Sequence, residues 1–347
     1  MLRNSPASSA SPNRPAIRFS RTVGLPRAVA KGCTISIVLG IFVLGDLFLQ
    51  AGDAKTPQAY LAAMLLALPF ILSYAERGAV ISGSGGVYGL VRASGSTWRT
   101  YMSGWLLLGG HLVLIALFGW GAALYLQTAL ISLVQLSVDT HWLAAGIVSL
   151  VALNDVVGLQ RGWRLRVFLV YASIGVLLLL LGYLWLIPTV PGAYQPLPLL
   201  APAGDTSSMV RLVAMLSAML WSIHFIIDSR EDMQRPAAIM LPALLLPLLL
   251  SGLLGMLIAA TVLRANLEPG ALLPLAEMLR LADTTSSPLL QIIYLGTGFL
   301  ISLVALSRTM VVLIRLTGTM VSDGFLPSRF WELSLGVPLF ALGVFAL

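Results

Sequence analysis

The polar residues that interrupt an apolar run near the middle of this sequence are well placed to do chemistry. The run 209–227 is broken at WSIH (221–224), and the polar stretch EDMQRPAAIMLPALL (231–245) follows it. The imidazole of His224 changes charge near neutral pH, which would let it carry a proton or select a solute by charge. A neutral histidine bonded to a backbone carbonyl fits the same pattern, and both interpretations stay open.

Four further polar side chains inside apolar runs are candidates for ion coupling or for gating. An ionisable group within lipid is costly, so each one needs a partner or a function. Serine hydroxyls can contact a cation, but they donate back to their own helix at least as commonly. The four candidates are Asp46, His111, Ser302 and Ser307. A packed core position competes as an interpretation for His111, and Asp46 can equally reach the membrane interface.

Composition fixes the class of protein that must position these residues. Hydrophobic residues make up 58% of the sequence, charged residues only 10%, and the mean hydropathy is +0.92. These values are typical of a chain that faces lipid. Cys33 is the single cysteine, so no intramolecular disulfide can form.

A helix needs about 20 apolar residues to cross a hydrocarbon core of about 30 Å. This window predicts eight full membrane spans and the beginning of a ninth near Val337. The predicted spans are 29–51, 57–75, 98–128, 142–157, 165–187, 209–227, 238–263 and 287–315. The fold class is therefore an all-α polytopic membrane protein.

The basic residues lie mostly on one predicted side of the membrane. Seventeen of the 21 Lys and Arg residues fall in segments that share a side with the N-terminus, which predicts a cytoplasmic N-terminus. The net charge of +7 is thus explained by topology and does not indicate nucleic-acid binding. Residues 1–28 are rich in Ser, Pro and Arg, contain no acidic residue and offer no apolar signal core, so they are expected to form a disordered cytoplasmic tail.

Four segments, in order, resemble one family, the amino acid/polyamine/organocation permeases. GLPRAVAKGCTISIVLGIFVLG (24–45) is similar to the family's first helix, and SGSGGVYGLVRASGS (82–96) to its cytoplasmic approach to helix three. The stretch from Ser222 to Pro242 resembles helix six with the acidic, proline-containing loop behind it. RLTGTMVSDGFLPSRF (315–330) resembles the exit from helix eight. The resemblance extends from about Val23 to the last residue.

The resemblance implies that helices one and six are broken midway across the bilayer. A half-helix that stops in lipid leaves backbone N–H groups unpaired, and their partial positive charge suits the carboxylate of an amino acid. The predicted substrate-binding residues are Ser36, Val38, Leu39, Gly40, Ile41, Trp221, Ser222, Ile223 and His224. Some proton-coupled relatives carry a lysine in helix five in place of a sodium ion. Ser173 stands near that position, so the coupling ion, proton or sodium, stays undecided.

The resemblance also implies a leucine-transporter-like fold of two inverted five-helix repeats. The first repeat would be 29–187, and the second, 209–347, would be incomplete. The permease domain would thus span 29–347, as a fragment or as a short variant completed by another polypeptide.

The function implied is a secondary active transporter in the plasma (inner) membrane. It would move amino acids or related amines by alternating access, coupled to an ion or to exchange, with no catalytic residue and no cofactor. A receptor or scaffold subunit without transport is the main alternative. A membrane prenyltransferase is a weaker one, because Asp228 and Asp232 give a single DxxxD spacing where two aspartate-rich motifs are needed.

Overall fold

The structure is a bundle of long helices. The computed structural model describes residues 23–52, 55–80, 85–156, 163–186, 206–264 and 289–327. The helices are α1 (Leu25–Ile37), a π-helical segment (Val38–Val43), α2 (Gly45–Gly52), α3 (Thr56–Val80), α4 (Gly86–Arg92), α5 (Thr97–Val134), α6 (Thr140–Val156), α7 (Trp163–Leu186), α8 (Thr206–Trp221), a 3₁₀ segment (Ser222–Asp232), α9 (Pro236–Arg264) and α10 (Leu289–Ser322).

Each of the eight predicted full spans corresponds to one helix or to two or three consecutive helical segments. Seven of the helices in the described ranges are long and apolar enough to cross a membrane. The eighth, α6, has 17 residues, which is about 25 Å at 1.5 Å per residue. The predicted all-α membrane fold is confirmed, while the ninth span near Val337 lies outside the described residues.

Some predicted boundaries are displaced. The predicted tail, 1–28, overlaps the described residues only at 23–28, and there the prediction of disorder is wrong. Val23 forms an isolated parallel bridge with Met233, and α1 begins at Leu25 with Pro26 in its first turn. Proline suits that place because its missing N–H would have no helical partner anyway. α10 runs to Ser322 and not to 315.

The helices pack as two groups. In the first, α3 packs against α8 and α9, and α1 packs against α9 and the 3₁₀ segment. In the second, α10 packs against α5, α6 and α7. The π segment contacts α5 and α10, and the Tyr171 hydroxyl on α7 donates to the Pro26 carbonyl at 2.8 Å. The helix-one span therefore lies between the two groups.

Glycines let two tyrosine rings enter the centre of the bundle. A Cβ on Gly255 of α9 would come within 2.4 Å of the Tyr60 ring, and one on Gly298 of α10 within 2.6 Å of the Tyr125 ring. Small residues of this kind are how membrane helices approach closely. Both rings are consequently buried, and their hydroxyls reach the π segment.

Candidate functional site

The first predicted binding segment is a π helix, not an unwound stretch. The helix changes from α to π geometry at Val38 and returns to α at Gly45 after a bend at Leu44. The expected loss of helical winding is therefore not seen, although the change of geometry falls on the predicted residues. Short π segments inside α-helices are often found at functional sites.

Tyrosine hydroxyls from two other helices bond to the backbone of the π segment. Tyr60 on α3 donates to the Gly40 carbonyl at 3.1 Å, and Tyr125 on α5 donates to the Phe42 carbonyl at 2.9 Å. The Tyr125 and Tyr294 hydroxyl oxygens are 3.3 Å apart. A polar cluster thus surrounds the π segment in an otherwise apolar interior.

These tyrosines are not among the residues predicted from the sequence. Tyrosines in apolar runs are ordinarily core residues, and nothing in the local sequence marks Tyr60, Tyr125 or Tyr294. Phe42 packs against two of them, with ring centroids 5.8 Å from Tyr294 and 5.7 Å from Tyr125. Only the packing of α3, α5 and α10 around helix one brings them together.

The second predicted binding segment also leaves α geometry where the break was expected. α8 ends at Trp221, and the chain continues as a 3₁₀ helix of eleven residues from Ser222. 3₁₀ runs longer than three or four residues are uncommon, and within a span they often mark a hinge or a strained sequence. The predicted position, Ser222, is the first residue of the altered geometry.

The two altered segments begin at neighbouring levels of the bundle, and each lies against the α-helical part of the other span. A Cβ on Gly40 would come within 2.5 Å of Met219 Cε, and one on Gly32 within 2.4 Å of Ile226 Cδ1. The two spans run antiparallel, so these contacts align the start of the π segment with the start of the 3₁₀ segment. Met219 and Ile226 fill the space between the two spans beside Gly40 and Gly32.

Trp221 and His224 face α3 rather than the π segment. The Trp221 ring lies 4.4 Å from Phe70 and the His224 ring 5.6 Å from Tyr74. His224 Nδ1 contacts the Trp221 carbonyl oxygen at 2.5 Å. His224 is therefore bonded to a backbone carbonyl, which is one of the two arrangements that its sequence position allowed. The Trp221 ring does not cover the space beside Gly40.

His111 approaches the 3₁₀ segment from the opposite side. Its ring packs 4.8 Å from Phe225, which also contacts His224 at 4.4 Å. Nδ1 of His111 contacts the Leu107 carbonyl oxygen at 2.6 Å, while Nε2 is buried and has no hydrogen-bond partner in the described part of the chain. One ring nitrogen is thus structural and the other is free to meet a ligand.

The remaining predicted residues divide into bonded and unbonded hydroxyls. Ser36 donates to the Gly32 carbonyl at 3.0 Å and Ser173 to the Leu169 carbonyl at 2.7 Å, as serines in helices commonly do. Ser302 is fully buried and has no partner among the residues described.

Val38, Leu39 and Gly40 are buried and Ile41 is half-buried, as is expected for residues within the bundle. Ile223 is fully buried. Asp46 lies in α2, and its side chain is not among those described.

Ser307, predicted as a possible contact for a cation, is hydrogen-bonded to a carboxylate instead. Its hydroxyl lies 3.0 Å from both oxygens of Asp155, a buried carboxylate that also pairs with Arg166 at 3.5 Å. This polar contact links α6, α7 and α10. Asp155 is not among the predicted residues, because it lies at the end of a predicted span, where a solvated carboxylate would be ordinary.

Buried polar atoms without partners gather at predicted site residues. In the described ranges there are five such side-chain atoms: His111 Nε2, Ser222 Oγ, Asp228 Oδ2, Ser302 Oγ and Arg308 Nε. Buried polar atoms in native proteins are nearly always bonded, so each one needs an explanation. Three of the five belong to residues predicted from the sequence. Within the same ranges, no group of three or more His, Cys, Asp or Glu side chains comes together in a way that could hold a metal ion.

Comparisons with known proteins identify the family and the fold of the chain. A family model described as amino acid permease matches residues 23–334. A search of curated protein sequences found no significant match. One similar solved structure is the manganese transporter of Eremococcus coleocola in complex with an aromatic bis-isothiourea substituted compound, with 18% identity and a TM-score of 0.57 over 95% of this chain and 73% of that chain.

Two structures of mutants of the same transporter are also similar. Their TM-scores are 0.56 and 0.53, at 18% and 19% identity, over 94% and 93% of this chain and 72% and 68% of theirs. At this level of identity the likeness shows the fold, which is the predicted leucine-transporter-like fold. With the family match over most of its length, the chain belongs to the amino acid permease family and is an integral membrane transporter rather than an enzyme.

Proposed function

We propose that this protein is a secondary active transporter that moves amino acids or related amines by alternating access. The observation that carries the proposal is that both central spans leave α geometry at the predicted residues, Val38 and Ser222, and do so at neighbouring levels of the bundle. Where the helix changes geometry, some backbone groups lose their usual helical hydrogen-bond partners and can bind a small zwitterion. The N–H groups suit its carboxylate, and the carbonyl groups suit its ammonium.

The proposed substrate site lies between the π segment and the start of the 3₁₀ segment. On helix one it comprises Ser36 and residues 38–41, and on helix six Ser222 and Ile223, with Ser222 Oγ unpartnered in the described structure. Trp221 and His224 contribute through the backbone that they hold against α3. Because the site is closed by Met219 and Ile226, substrate entry requires helix one or α8 to move.

Coupling is assigned to polar side chains next to this site. Buried His111 has a free ring nitrogen that can take a proton, and buried Ser302 has a free hydroxyl that can contact a sodium ion. The bonded hydroxyls of Ser173 and Ser307 are weaker candidates, because each already has an acceptor. Asp46 stays a candidate gate. We place the protein in the plasma (inner) membrane with a cytoplasmic N-terminus, on the distribution of its basic residues.

The test is uptake by proteoliposomes that contain the purified chain, with a panel of radiolabelled neutral, acidic and basic amino acids and amines. Ser222→Trp fills the proposed site and should abolish uptake without preventing membrane insertion. Leu253→Trp is the matched control, because Leu253 is 48% exposed on the outer surface of α9. Ser222→Ala, which adds no volume, guards against misfolding and should change uptake through the lost hydroxyl alone.

Three outcomes would contradict the proposal. If folded Ser222→Trp takes up substrate like the control, the site lies elsewhere. If the unsubstituted chain shows neither uptake nor substrate counterflow with any member of the panel, a receptor or scaffold role replaces transport. If uptake is restricted to inorganic cations, the substrate class is wrong.

A further inference from the structure

A cationic cavity lies at the inner end of the bundle, which is the end where α1 begins and the predicted cytoplasmic side. It has a volume of about 130 Å³ and lies between α1, α7 and α10. Its charged lining residues among those described are Arg27, Lys31, Arg166, Arg308, Arg315 and Asp232. A single water needs about 10–15 Å³ measured in this way, so the cavity holds several waters or a small ion with waters.

The carboxylates around the cavity do not balance its cations. Asp232 pairs with Arg315 at 3.1 Å, and Asp155 lies behind the lining and pairs with Arg166 at 3.5 Å. Asp228 is a third carboxylate nearby, and it attracts Arg308. Five cationic side chains line the cavity, and Asp232 is the one carboxylate among its described lining residues.

Lys31 and Arg308 are the cations least neutralised by their surroundings. Both donate to the hydroxyl of Ser229, from Lys31 Nζ at 2.8 Å and from Arg308 Nη2 at 2.5 Å. The salt bridges of the described residues involve neither of them. Arg308 Nε is buried and has no acceptor. The hydroxyl that they share is neutral and cannot itself compensate two cations, which are costly to hold away from water.

We propose that this cavity binds an oxyanion, a carboxylate or a phosphate, held between Lys31 and Arg308. A guanidinium presents parallel N–H groups that match two oxygens of such an anion, and an ammonium adds a third donor. The same chemistry is offered by a small soluble anion and by the phosphate of a lipid headgroup. In either case the anion joins α1 to α10 at the inner end of the bundle.

The first experiment titrates sodium phosphate into the full chain in neutral detergent, at constant ionic strength held with sodium chloride. Binding is followed by calorimetry and by the unfolding midpoint from tryptophan fluorescence. The unsubstituted protein should show a saturable rise in the midpoint. Lys31→Gln and Arg308→Gln should each bind phosphate at least about tenfold more weakly, since a charge-assisted hydrogen bond contributes roughly that factor or more.

One further variant, and one further measurement on Lys31→Gln, separate a binding role from a structural one. Arg99→Gln makes the same charge change at an exposed residue of the same end and should leave phosphate binding unchanged. Without phosphate, Lys31→Gln should raise the unfolding midpoint, because it removes an uncompensated cation. A midpoint below that of the unsubstituted protein would mean that Lys31 is held by the protein itself. A phosphate response that is absent, or equally weakened in Arg99→Gln, would overturn the proposal.

The second experiment distinguishes the two sources of the anion. The chain is placed in nanodiscs of phosphatidylcholine alone or of phosphatidylcholine with phosphatidylglycerol. If the anionic lipid raises the midpoint, cancels the response to phosphate and loses both effects in Lys31→Gln, the occupant is a lipid headgroup. If phosphate still acts in both membranes, the occupant is a soluble anion. A lack of response to both overturns the site, and this readout does not depend on whether the protein transports amino acids.

Discussion

Replacing the tyrosines that bond to the π segment should destabilise the protein by amounts that can be ranked in advance. Tyr60→Phe and Tyr125→Phe keep the buried rings and remove only the hydroxyls that donate to the carbonyls of Gly40 and Phe42. Tyr125→Phe should cost more, because it also removes the contact with the Tyr294 hydroxyl at 3.3 Å.

The loss in free energy of unfolding depends on whether the carbonyls find other hydrogen-bond donors when the helices separate. An ordinary hydrogen bond between membrane helices contributes only about 0.6 kcal/mol, because separated helices find other partners. A buried carbonyl left without a donor costs about 1–3 kcal/mol. In a separated helix the π segment can relax to α geometry and pair its own carbonyls, whereas in the folded variants the carbonyls of Gly40 and Phe42 lose their tyrosine donors. The upper range therefore applies, and each substitution should cost about 1–3 kcal/mol.

The measurement is unfolding of the purified variants in detergent, followed by tryptophan fluorescence. Tyr101→Phe is the control, because the Tyr101 ring packs against Trp98, Trp105 and Phe325 without a hydroxyl bond in the described structure. If Tyr60→Phe and Tyr125→Phe unfold together with this control, the carbonyls of the π segment do not depend on these donors. If Tyr60→Phe costs more than Tyr125→Phe, the assignment of the second contact is wrong.

Two further predictions concern the inner end. Gly86→Ala should destabilise the protein strongly, because Gly86 has φ +57° and an added Cβ would lie 1.5 Å from Asp228 Oδ1. Gly95→Ala is the control: Gly95 has φ +76° but open space around it, so this substitution should cost only the backbone strain of about 1–3 kcal/mol. Equal unfolding of the two variants would contradict the steric explanation. Burial and the hydrogen bond to Asp323 at 2.6 Å raise the pKa of Tyr88. The stabilisation from Tyr88 is complete at pH values below the unfolded-state pKa of about 10 and is lost as the pH rises through the folded-state pKa. The free energy of unfolding should therefore fall at alkaline pH, and it should fall less steeply in Tyr88→Phe. Unfolding measured across that pH range tests this.

The spans and the positions of both altered segments could be predicted from the sequence. Long apolar runs fix the spans, because any helix in lipid must satisfy its backbone internally. The polar stretch that begins at Glu231 marks the end of the span, and the resemblance to helix six predicts a break before it, near Ser222. What could not be predicted is the geometry at these positions. Whether a helix unwinds or changes to π or 3₁₀ depends on donors from other helices, such as Tyr60.

The contacts of Arg308 could not be predicted from the sequence either. From the sequence, an arginine near the inner end of a span is expected to extend to the interface. In the structure it points inward to Ser229, 79 residues away in sequence, and lines the cationic cavity with Lys31. No local pattern joins these three residues, since they come from α1, the 3₁₀ segment and α10. Sites formed by residues from separate spans appear only when the packing of the spans is known.

The altered helical geometry also bears on how the bundle can open. A span that opens by unwinding exposes backbone groups, at several kcal/mol each if they meet lipid. A change between α, π and 3₁₀ pairing keeps most of the hydrogen bonds and still rotates the side chains that follow it. Gly40 and Gly32 pack directly against Met219 and Ile226, so a small rotation of either span would separate these contacts. Because the Gly40 and Phe42 carbonyls already bond to tyrosine hydroxyls, the donors can follow the backbone, and movement at the site need not leave those carbonyls unpaired.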